Sequence, residues 1–256
     1  MGALHAGHLS LVRAARECCE VVAASVFANP AQFAPNEDFA KYPRDLERDK
    51  KLLAAEGVVL LFAPGVDEMY PEGAATIVYV AGLSEKLCGR SRPGHFRGVT
   101  TIVAKLFNIV GPDAAFFGQK DAAQVAIIRK MARDLNFPVE IVACPIVREA
   151  DGLAMSSRNT YLNPAERKQA LALSGALGQI EKKFAEGERR ASELICVGKA
   201  ELAREPGVRL DYLEIVDPET LDPVPNEDVC GALVAVAAFV GGTRLIDNVV
   251  LTQSGN

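Results

Sequence analysis

The run Val21-Val22-Ala23-Ala24-Ser25-Val26-Phe27 decides the fold class of this chain of 256 residues. A continuous apolar run of this kind is typical of a parallel strand that is covered on both faces. The apolar residues between 9 and 15 predict an amphipathic helix before it, and a helix over 44–56 and a second apolar run at 58–62 follow. A strand, a helix and a strand in this order predict two parallel strands joined by a right-handed crossover.

The alternation of strands and helices continues as far as residue 147. We predict further strands at 76–80, 114–117 and 139–144, and helices at 98–110 and 121–135. In such sheets, ligands bind beyond the carboxyl ends of the strands. Polar side chains cluster after those ends, at Asn29 and Gln32, at 118–124 and after Cys144. The sequence therefore predicts a doubly wound α/β domain over residues 1–147.

A smaller α+β domain is predicted over residues 148–256, with the boundary in the segment 148–152. Its expected elements are helices at about 164–185 and 191–204 and strands at 211–216, 232–239 and 244–250. Because Gly241, Gly242 and Thr243 join the last two strands, we expect these strands to form a hairpin.

Composition excludes several classes of protein. The net charge is −5 and no cluster of Lys and Arg occurs, which argues against a nucleic-acid partner. The six cysteines have neither metal-binding spacing nor the density of a secreted disulfide scaffold. The sequence also contains no signal peptide pattern and no long uncharged apolar run. We therefore expect a cytoplasmic protein with reduced cysteines that binds no membrane.

The first eight residues contain the pattern H-x-G-H, formed by His5, Gly7 and His8. Histidines three residues apart lie on one face of a helix, and a helix N-terminus offers free N–H groups to an anion. Gly7 lets the backbone approach a phosphate, and each imidazole can donate one N–H. The pattern predicts a site for nucleotide phosphates, although a pair of solvated histidines would show the same spacing.

A second candidate site is the stretch Gly118-Gln119-Lys120-Asp121, at a predicted strand end. A cation and a carboxylate at the start of a helix suit phosphates, a ribose or a metal ion. Alternatively, Asp121 is only an N-cap and Lys120 only a solvated helix end. Gln124 follows three residues later on the same predicted helix face.

Two loops are further candidates. The stretch 155–159 combines two hydroxyls, a guanidinium and an amide, groups that bind a polyphosphate, or it is a serine-rich cap before Pro164. The stretch 91–98 contains Arg92, His95 and Arg97, and is either a flexible basic lid or a plain surface connection.

Taken together, these motifs resemble one family across essentially the whole chain. The motifs are Met1–His8, Asn-Pro-x-Gln-Phe at 29–33, Tyr-Pro-Arg-Asp-Leu at 42–46, the stretch 91–98, Lys-Leu-Phe-Asn-Ile-Val at 105–110, Gly-x-Lys-Asp at 118–121, the stretch 148–159 and Gly-Thr-Arg-Leu-Ile-Asp-Asn at 242–248. In this order they are similar to the pantoate–β-alanine ligases.

The resemblance implies a Rossmann-like domain related to the class I aminoacyl-tRNA synthetases, a smaller mobile second domain and a homodimer. It also implies a reaction in which ATP, (R)-pantoate and β-alanine give pantothenate, AMP and diphosphate, with Mg²⁺. The substrates of such an enzyme are small molecules.

The same resemblance implies the roles of individual residues. His8 is the motif histidine treated as the proton donor, and His5, Lys120 and Arg158 join it as catalytic groups. Gln32 contacts pantoate and β-alanine, Gln124 contacts pantoate, and Asp121 is a candidate Mg²⁺ ligand. The implied ATP-binding residues are Met1, Gly2, Ala3, Leu4, His5, Ala6, Gly7, His8, Gly118, Gln119, Lys120, Asp121, Val147, Met155, Ser156, Ser157 and Arg158.

The sequence departs from the family pattern in three places, of which Ala28, where a valine is common, is a mild packing change. Family members generally have a strand, a helix and a Pro-Thr pair before the position of Met1, so we expect an internal methionine as the start here. Gln119 stands where the family generally has glutamate. Two other functions stay open: a sister nucleotidyltransferase with another acceptor, and a catalytically silent dimerising or nucleotide-binding protein.

Overall fold

The structure, a computed structural model, describes residues 2–34 and 37–252. Its helices and strands, in chain order, are α1 (Ala6–Cys18), β1 (Ala23–Ser25), α2 (Leu46–Ala55), β2 (Leu60–Phe62), α3 (Val66–Met69), α4 (Cys88–Ser91), α5 (His95–Val110), β3 (Ala114–Gly118), α6 (Ala122–Asp134), β4 (Glu140–Cys144), α7 (Pro164–Ala185), α8 (Ala191–Leu202), β5 (Val208–Val216), β6 (Leu233–Val240) and β7 (Thr243–Val250). Short 3₁₀ helices lie at Pro30–Gln32, Asp38–Ala40, Leu83–Glu85, Gln119–Asp121 and Ser157–Tyr161.

The chain divides into two compact units. The first contains the described residues up to Glu85, together with Gly89–Gln119 and Ile127–Val147. The second contains Lys86–Cys88, Lys120–Ala126 and the described residues from Arg148 onward. Two short segments from the first half of the chain are thus part of the second unit.

The strands of the first unit are parallel, as predicted, and form two pairs. β1 pairs with β2, with Ala23 opposite Leu60, and β3 pairs with β4, with Ala114 opposite Glu140. Within the described residues no ladder joins the two pairs. A cluster of buried side chains from α1, β1 and α2 also packs against Phe116 of β3.

The prediction that β1 is covered on both faces is wrong. Val22 and Ala24 are buried, whereas the neighbouring Val21 and Ala23 are exposed, so burial alternates along the run. In β2, Leu60 is likewise 52% exposed. Side chains alternate between the faces of a strand, and only one face of this pair contacts the cluster around α1.

The predicted strand at 76–80 is also wrong, because these residues belong to no strand in the described chain. The N–H and carbonyl groups of Val78 are bound by side chains of α5 instead. The N–H of Val78 donates to Oγ1 of Thr101 at 3.0 Å, and the hydroxyl of Thr100 donates to the Val78 carbonyl at 2.6 Å. Threonine hydroxyls therefore take the place of a β ladder.

Helix α5 begins three residues earlier than predicted. Its N-cap is Gly94 with φ +83, and its C-cap is Gly111 with φ +59, conformations that glycine adopts without strain. Gly98 lies on its buried side, where a Cβ would be 2.2 Å from the carbonyl oxygen of Ala31. A glycine is therefore required for the close packing of α5 on the 3₁₀ helix that contains Gln32.

The second unit is a three-stranded antiparallel sheet, ordered β5-β6-β7, that packs against α7 and α8. The predicted helix at 164–185 and the hairpin after β6 are confirmed. Asn163 caps α7 by accepting from the N–H groups of Ala165 and Glu166. At Gly198 in α8, a Cβ would be 2.6 Å from Cδ1 of Ile180, so this glycine lets the two helices approach. Among the helices described here, none is long and apolar enough to cross a membrane.

Candidate active site

The two histidines of the H-x-G-H pattern form one structural unit at the start of α1. His5 is the N-cap, with extended φ and ψ, and its carbonyl accepts from the N–H groups of His8 and Leu9. The two rings are tilted by 31° with their centroids 4.0 Å apart. The N–H of His5 donates to Nδ1 of His8 at 3.4 Å, so a neutral His8 carries its proton on Nε2. Met1, also implied in ATP binding, lies outside the described residues.

A buried carboxylate supports this segment from α2. Asp49 is 1% exposed, and its Oδ1 accepts from the backbone N–H of Leu4 at 2.8 Å. Its Oδ2 has no hydrogen-bond partner in the described part of the chain. Leu4 is itself buried, next to Leu53 of α2. Asp49 therefore anchors the residue directly before the histidine pair.

We predict that Asp49→Ala lowers the free energy of unfolding by about 1 kcal/mol. The substitution leaves the Leu4 N–H without its acceptor, and the removal of the unpaired Oδ2 offsets part of that loss. Urea unfolding measures the change, and Asp49→Asn is the control, because its amide oxygen still accepts from Leu4. Equal loss in both variants would contradict an anchoring role for this hydrogen bond.

Gln32 ends the 3₁₀ helix that follows β1, and the buried Asn29 organises its surroundings. The Asn29 amide donates to the Gly98 carbonyl at 3.0 Å and to Oε1 of Gln32 at 3.3 Å. Its Oδ1 accepts from the Tyr70 hydroxyl at 2.8 Å. Burial raises the pKa of Tyr70, while the hydrogen bond to Asn29 acts in the opposite direction. Asn29 thus joins the Gln32 loop to α5 and to the end of α3.

The remaining candidates in the first unit follow the strands β3 and β4. Gly118 is the last residue of β3, opposite Cys144, and Gln119 comes directly after it. Val147 follows the end of β4 and is half-buried. These candidates therefore lie at or just beyond the carboxyl ends of the two parallel strands, where ligands bind in sheets of this kind.

The other candidates belong to the second unit. Lys120 and Asp121 lie in the 3₁₀ helix before α6, and Asn248 of β7 donates to the Lys120 carbonyl at 3.0 Å. Asp121 is exposed, and Gln124 lies in the first turn of α6. The described residues contain no cluster of three or more His, Cys, Asp or Glu side chains that could hold a metal ion.

The stretch Met155–Arg158 is held by short-range hydrogen bonds. Ser156 caps the 3₁₀ helix at 157–161, since its hydroxyl accepts from the N–H of Arg158 at 3.2 Å. The predicted serine cap is therefore present, and Asn163 separately caps α7. The cap uses the Ser156 oxygen only as an acceptor, so it is compatible with a binding role for this stretch.

Glu149 supports the same stretch. The amide of Asn159 donates to its Oε1 at 2.6 Å, and Arg167 donates to its Oε2 at 2.7 Å. Burial alone would raise the pKa of Glu149, but these hydrogen bonds outweigh burial and hold the pKa below its ordinary value. The loop is consequently fixed by an ionised carboxylate.

Sequence reasoning missed the supporting residues. Asp49 lies three residues after Leu46 and four before Leu53, which places a charged residue on the apolar face of α2. This spacing could have identified Asp49 as a buried carboxylate with a structural partner. For the stretch with Arg92 and His95, the sequence predicted either a flexible basic lid or a plain surface connection. The structure supports neither alternative, because both side chains bind the Gln32 loop. Nothing in the local sequence pointed to Glu37.

The fold and the site define a class of protein: a Rossmann-like α/β unit with a histidine pair at a helix N-terminus, followed by a unit built on an antiparallel sheet. The model of the pantoate-beta-alanine ligase family matches residues 1–250. The chain therefore belongs to the pantoate–β-alanine ligase family.

Individual relatives agree with this assignment. The chain is 62% identical over 256 residues to pantothenate synthetase of Koribacter versatilis (strain Ellin345), covering 100% of this chain and 88% of the relative. It also matches the crystal structure of pantothenate synthetase from Thermus thermophilus with a TM-score of 0.96 and 52% identity, over 99% of this chain and 91% of the other.

A third similar structure contains bound molecules. It is pantoate-beta-alanine ligase from Francisella tularensis, complexed with beta-gamma ATP and beta-alanine. Its TM-score is 0.78 and its identity 33%, over 98% of this chain and 87% of that one.

Proposed function

We propose that this protein condenses (R)-pantoate with β-alanine at the expense of ATP, and releases pantothenate, AMP and diphosphate. The observation that carries the proposal is the paired arrangement of His5 and His8 at the N-terminus of α1, in a chain of this family. A helix N-terminus with imidazoles beside it can offer N–H donors to an anion, which supports this proposal.

In the first step, a carboxylate oxygen of pantoate attacks the α-phosphorus of ATP in line and displaces diphosphate. Negative charge grows on the equatorial and departing oxygens, so positioning and hydrogen-bond donors are what the protein has to supply. His8 supplies Nε2–H, because its Nδ1 already accepts from the backbone of His5. Neutral imidazoles are favoured at a helix N-terminus, where the dipole opposes positive charge.

Lys120 and Arg158 are the proposed cations for the phosphate oxygens, since ammonium and guanidinium groups bind phosphate and both side chains are half-buried. We propose that ATP is bound by the residues implied by the family resemblance, namely Met1–His8, Gly118–Asp121, Val147 and Met155–Arg158. Among these, His5 and His8 contact the groups at which charge develops.

In the second step, the amine of β-alanine attacks the acyl carbon of pantoyl-adenylate. The bond from this carbon to the adenylate oxygen breaks, AMP departs, and the amine gives up a proton. Gln32 is proposed to contact both carbon substrates, because an amide can donate to a carboxylate and accept from an amine. Gln124 is proposed to contact pantoate.

Mg²⁺ is proposed as the metal, with Asp121 as a ligand. Mg²⁺ is usually bound by one or two carboxylates together with substrate phosphates. Asp121 is an exposed carboxylate in the 3₁₀ helix before α6, which fits this type of binding. When bound, the ion would neutralise charge on the triphosphate. We infer that Gln119, in place of glutamate, removes one negative charge next to this ligand.

A homodimer and a cytoplasmic location are also proposed. Sedimentation velocity tests the first, for which the expected mass is twice the 27.3 kDa of the chain.

The experiment that tests the proposed function is the identification of products from ATP, pantoate, β-alanine and Mg²⁺. We expect equal amounts of pantothenate and AMP, and no pantothenate when β-alanine is left out. A retained nucleotidyl product would favour a sister nucleotidyltransferase, and binding of ATP without any product would favour a catalytically silent protein.

A further inference from the structure

A cluster of three side chains in the first unit binds the backbone of Gln32 through two of its members, Arg92 and His95. Its members are Glu37, Arg92 and His95. Arg92 donates through Nε to Oε1 of Glu37 at 2.6 Å and through a terminal nitrogen to Oε2 at 2.8 Å. The same guanidinium donates to Nε2 of His95 at 3.0 Å and to the Gln32 carbonyl at 3.3 Å.

His95 completes the arrangement. Its Nδ1 donates to the Gln32 carbonyl oxygen at 2.8 Å, and its Nε2 accepts from Arg92. One ring nitrogen must then carry a proton and the other a lone pair, so this histidine is the neutral Nδ1–H tautomer. The Gln32 carbonyl receives two donors, while its own N–H donates to the Asn29 carbonyl at 3.4 Å.

The charges within the cluster are balanced. Arg92 is 15% exposed and Glu37 is 23% exposed, so the ion pair is largely removed from water. Burial on its own would raise the pKa of Glu37, but the hydrogen bonds and the charge of Arg92 outweigh burial and lower this pKa. A two-pronged ion pair of this kind is geometrically specific, because both carboxylate oxygens and two guanidinium nitrogens are engaged.

We propose that the Glu37–Arg92–His95 cluster positions Gln32 for the two carbon substrates. Both main-chain polar groups of Gln32 are bound, so its side-chain amide starts from a fixed backbone and loses less freedom when a substrate binds. The three members act through Gln32 and are positioning residues. This inference rests on the proposed function, in which Gln32 contacts pantoate and β-alanine.

Steady-state kinetics of His95→Ala, His95→Asn and Glu37→Gln test the proposal. We expect His95→Ala to raise KM for pantoate and β-alanine about 10-fold, which corresponds to the loss of one hydrogen bond. KM for ATP should stay within about 2-fold of its original value, since no bond to an ATP-binding residue is removed. His95→Asn should recover most of the loss, because an asparagine amide can replace the Nδ1–H donor.

Glu37→Gln is the charge variant, and Glu56→Gln is its matched control. A glutamine presents an NH₂ group to one of the guanidinium donors, so Glu37→Gln should raise the same two KM values. Glu56 is also paired with an arginine, Arg13, but on the exposed surface of the first unit, so its variant should leave all three KM values unchanged. An equal rise in all three, or unchanged values in His95→Ala, would overturn the proposal.

Hydrogen exchange of the amides in residues 31–34 gives a readout independent of activity. We expect exchange in His95→Ala to be about 10-fold faster than in the unaltered protein, with the rest of the first unit unchanged. Unchanged exchange in 31–34 would contradict the positioning role. If the unaltered protein forms no pantothenate, the proposed function fails, whereas the exchange measurement still decides whether the cluster fixes this backbone.

Discussion

Replacement of His8 by alanine is expected to slow pantothenate formation by about 10²- to 10³-fold, the usual effect of removing one donor to developing negative charge. The structure gives the reason. Nδ1 of His8 accepts from the His5 backbone, so the neutral ring carries its proton on Nε2, which is the proposed donor. Alanine removes this donor while the helix N-terminus remains. Initial rates of AMP release at saturating substrates measure the effect.

The control for this variant is His8→Gln. A glutamine side chain can place an N–H₂ group near the position of Nε2, so it should retain more activity than alanine. Because His8 is only half-buried, both variants should unfold at nearly the temperature of the unaltered protein. A near-normal rate in His8→Ala would contradict the role assigned to this ring.

The substitution Gly98→Ala is expected to lower the free energy of unfolding by about 3 kcal/mol, at the upper end of the usual cost of overpacking. A Cβ at Gly98 would lie 2.2 Å from the Ala31 carbonyl oxygen and 2.6 Å from the Gln32 backbone nitrogen. These contacts are with backbone, so α5 or the Gln32 loop must move. We also expect weaker binding of pantoate and β-alanine.

Gly178→Ala is the matched control. Gly178 also lies inside a helix, α7, but nothing lies within 4 Å of a Cβ added there. Alanine is favoured over glycine in a helix interior by about 0.5–1 kcal/mol, so this variant should be as stable as the unaltered protein or more so. Urea unfolding of both variants distinguishes a specific close contact at Gly98 from a general effect of the substitution. Similar stability in both would contradict the packing described for α5.

Local signals allowed most of the helices and strands to be predicted from the sequence. Helix α7 agrees with its predicted bounds because Asn163 and Pro164 mark its start and Gly187 follows its end. The start of α5 was missed because Gly98 was taken as the boundary, whereas the cap is Gly94. The segment 76–80 has the composition of a strand, but its partners are threonine hydroxyls of α5, which no pattern in that segment reveals.

The candidate site likewise has local features that the sequence predicts and non-local contacts that it does not. The histidine pair is local, so its spacing in sequence determines its geometry. The supporting contacts are not local: Asp49 binds a residue 45 positions earlier, and Arg92 binds one 55 positions earlier. Such pairings depend on how distant segments pack, and a single sequence carries no direct signal for them. The family resemblance implies roles for individual residues. The structure identifies the distant side chains that hold these residues in place.

The most direct test of the central claim is the fate of ¹⁸O in the carboxylate of pantoate. Attack of this carboxylate on the α-phosphorus makes one of its oxygens the bridge of the adenylate, and amide formation leaves that oxygen on the phosphate of AMP. Mass spectrometry of the AMP formed in H₂¹⁶O should therefore find one ¹⁸O atom per molecule. Unlabelled AMP, or formation of ADP and labelled inorganic phosphate instead, would contradict the proposed adenylate mechanism.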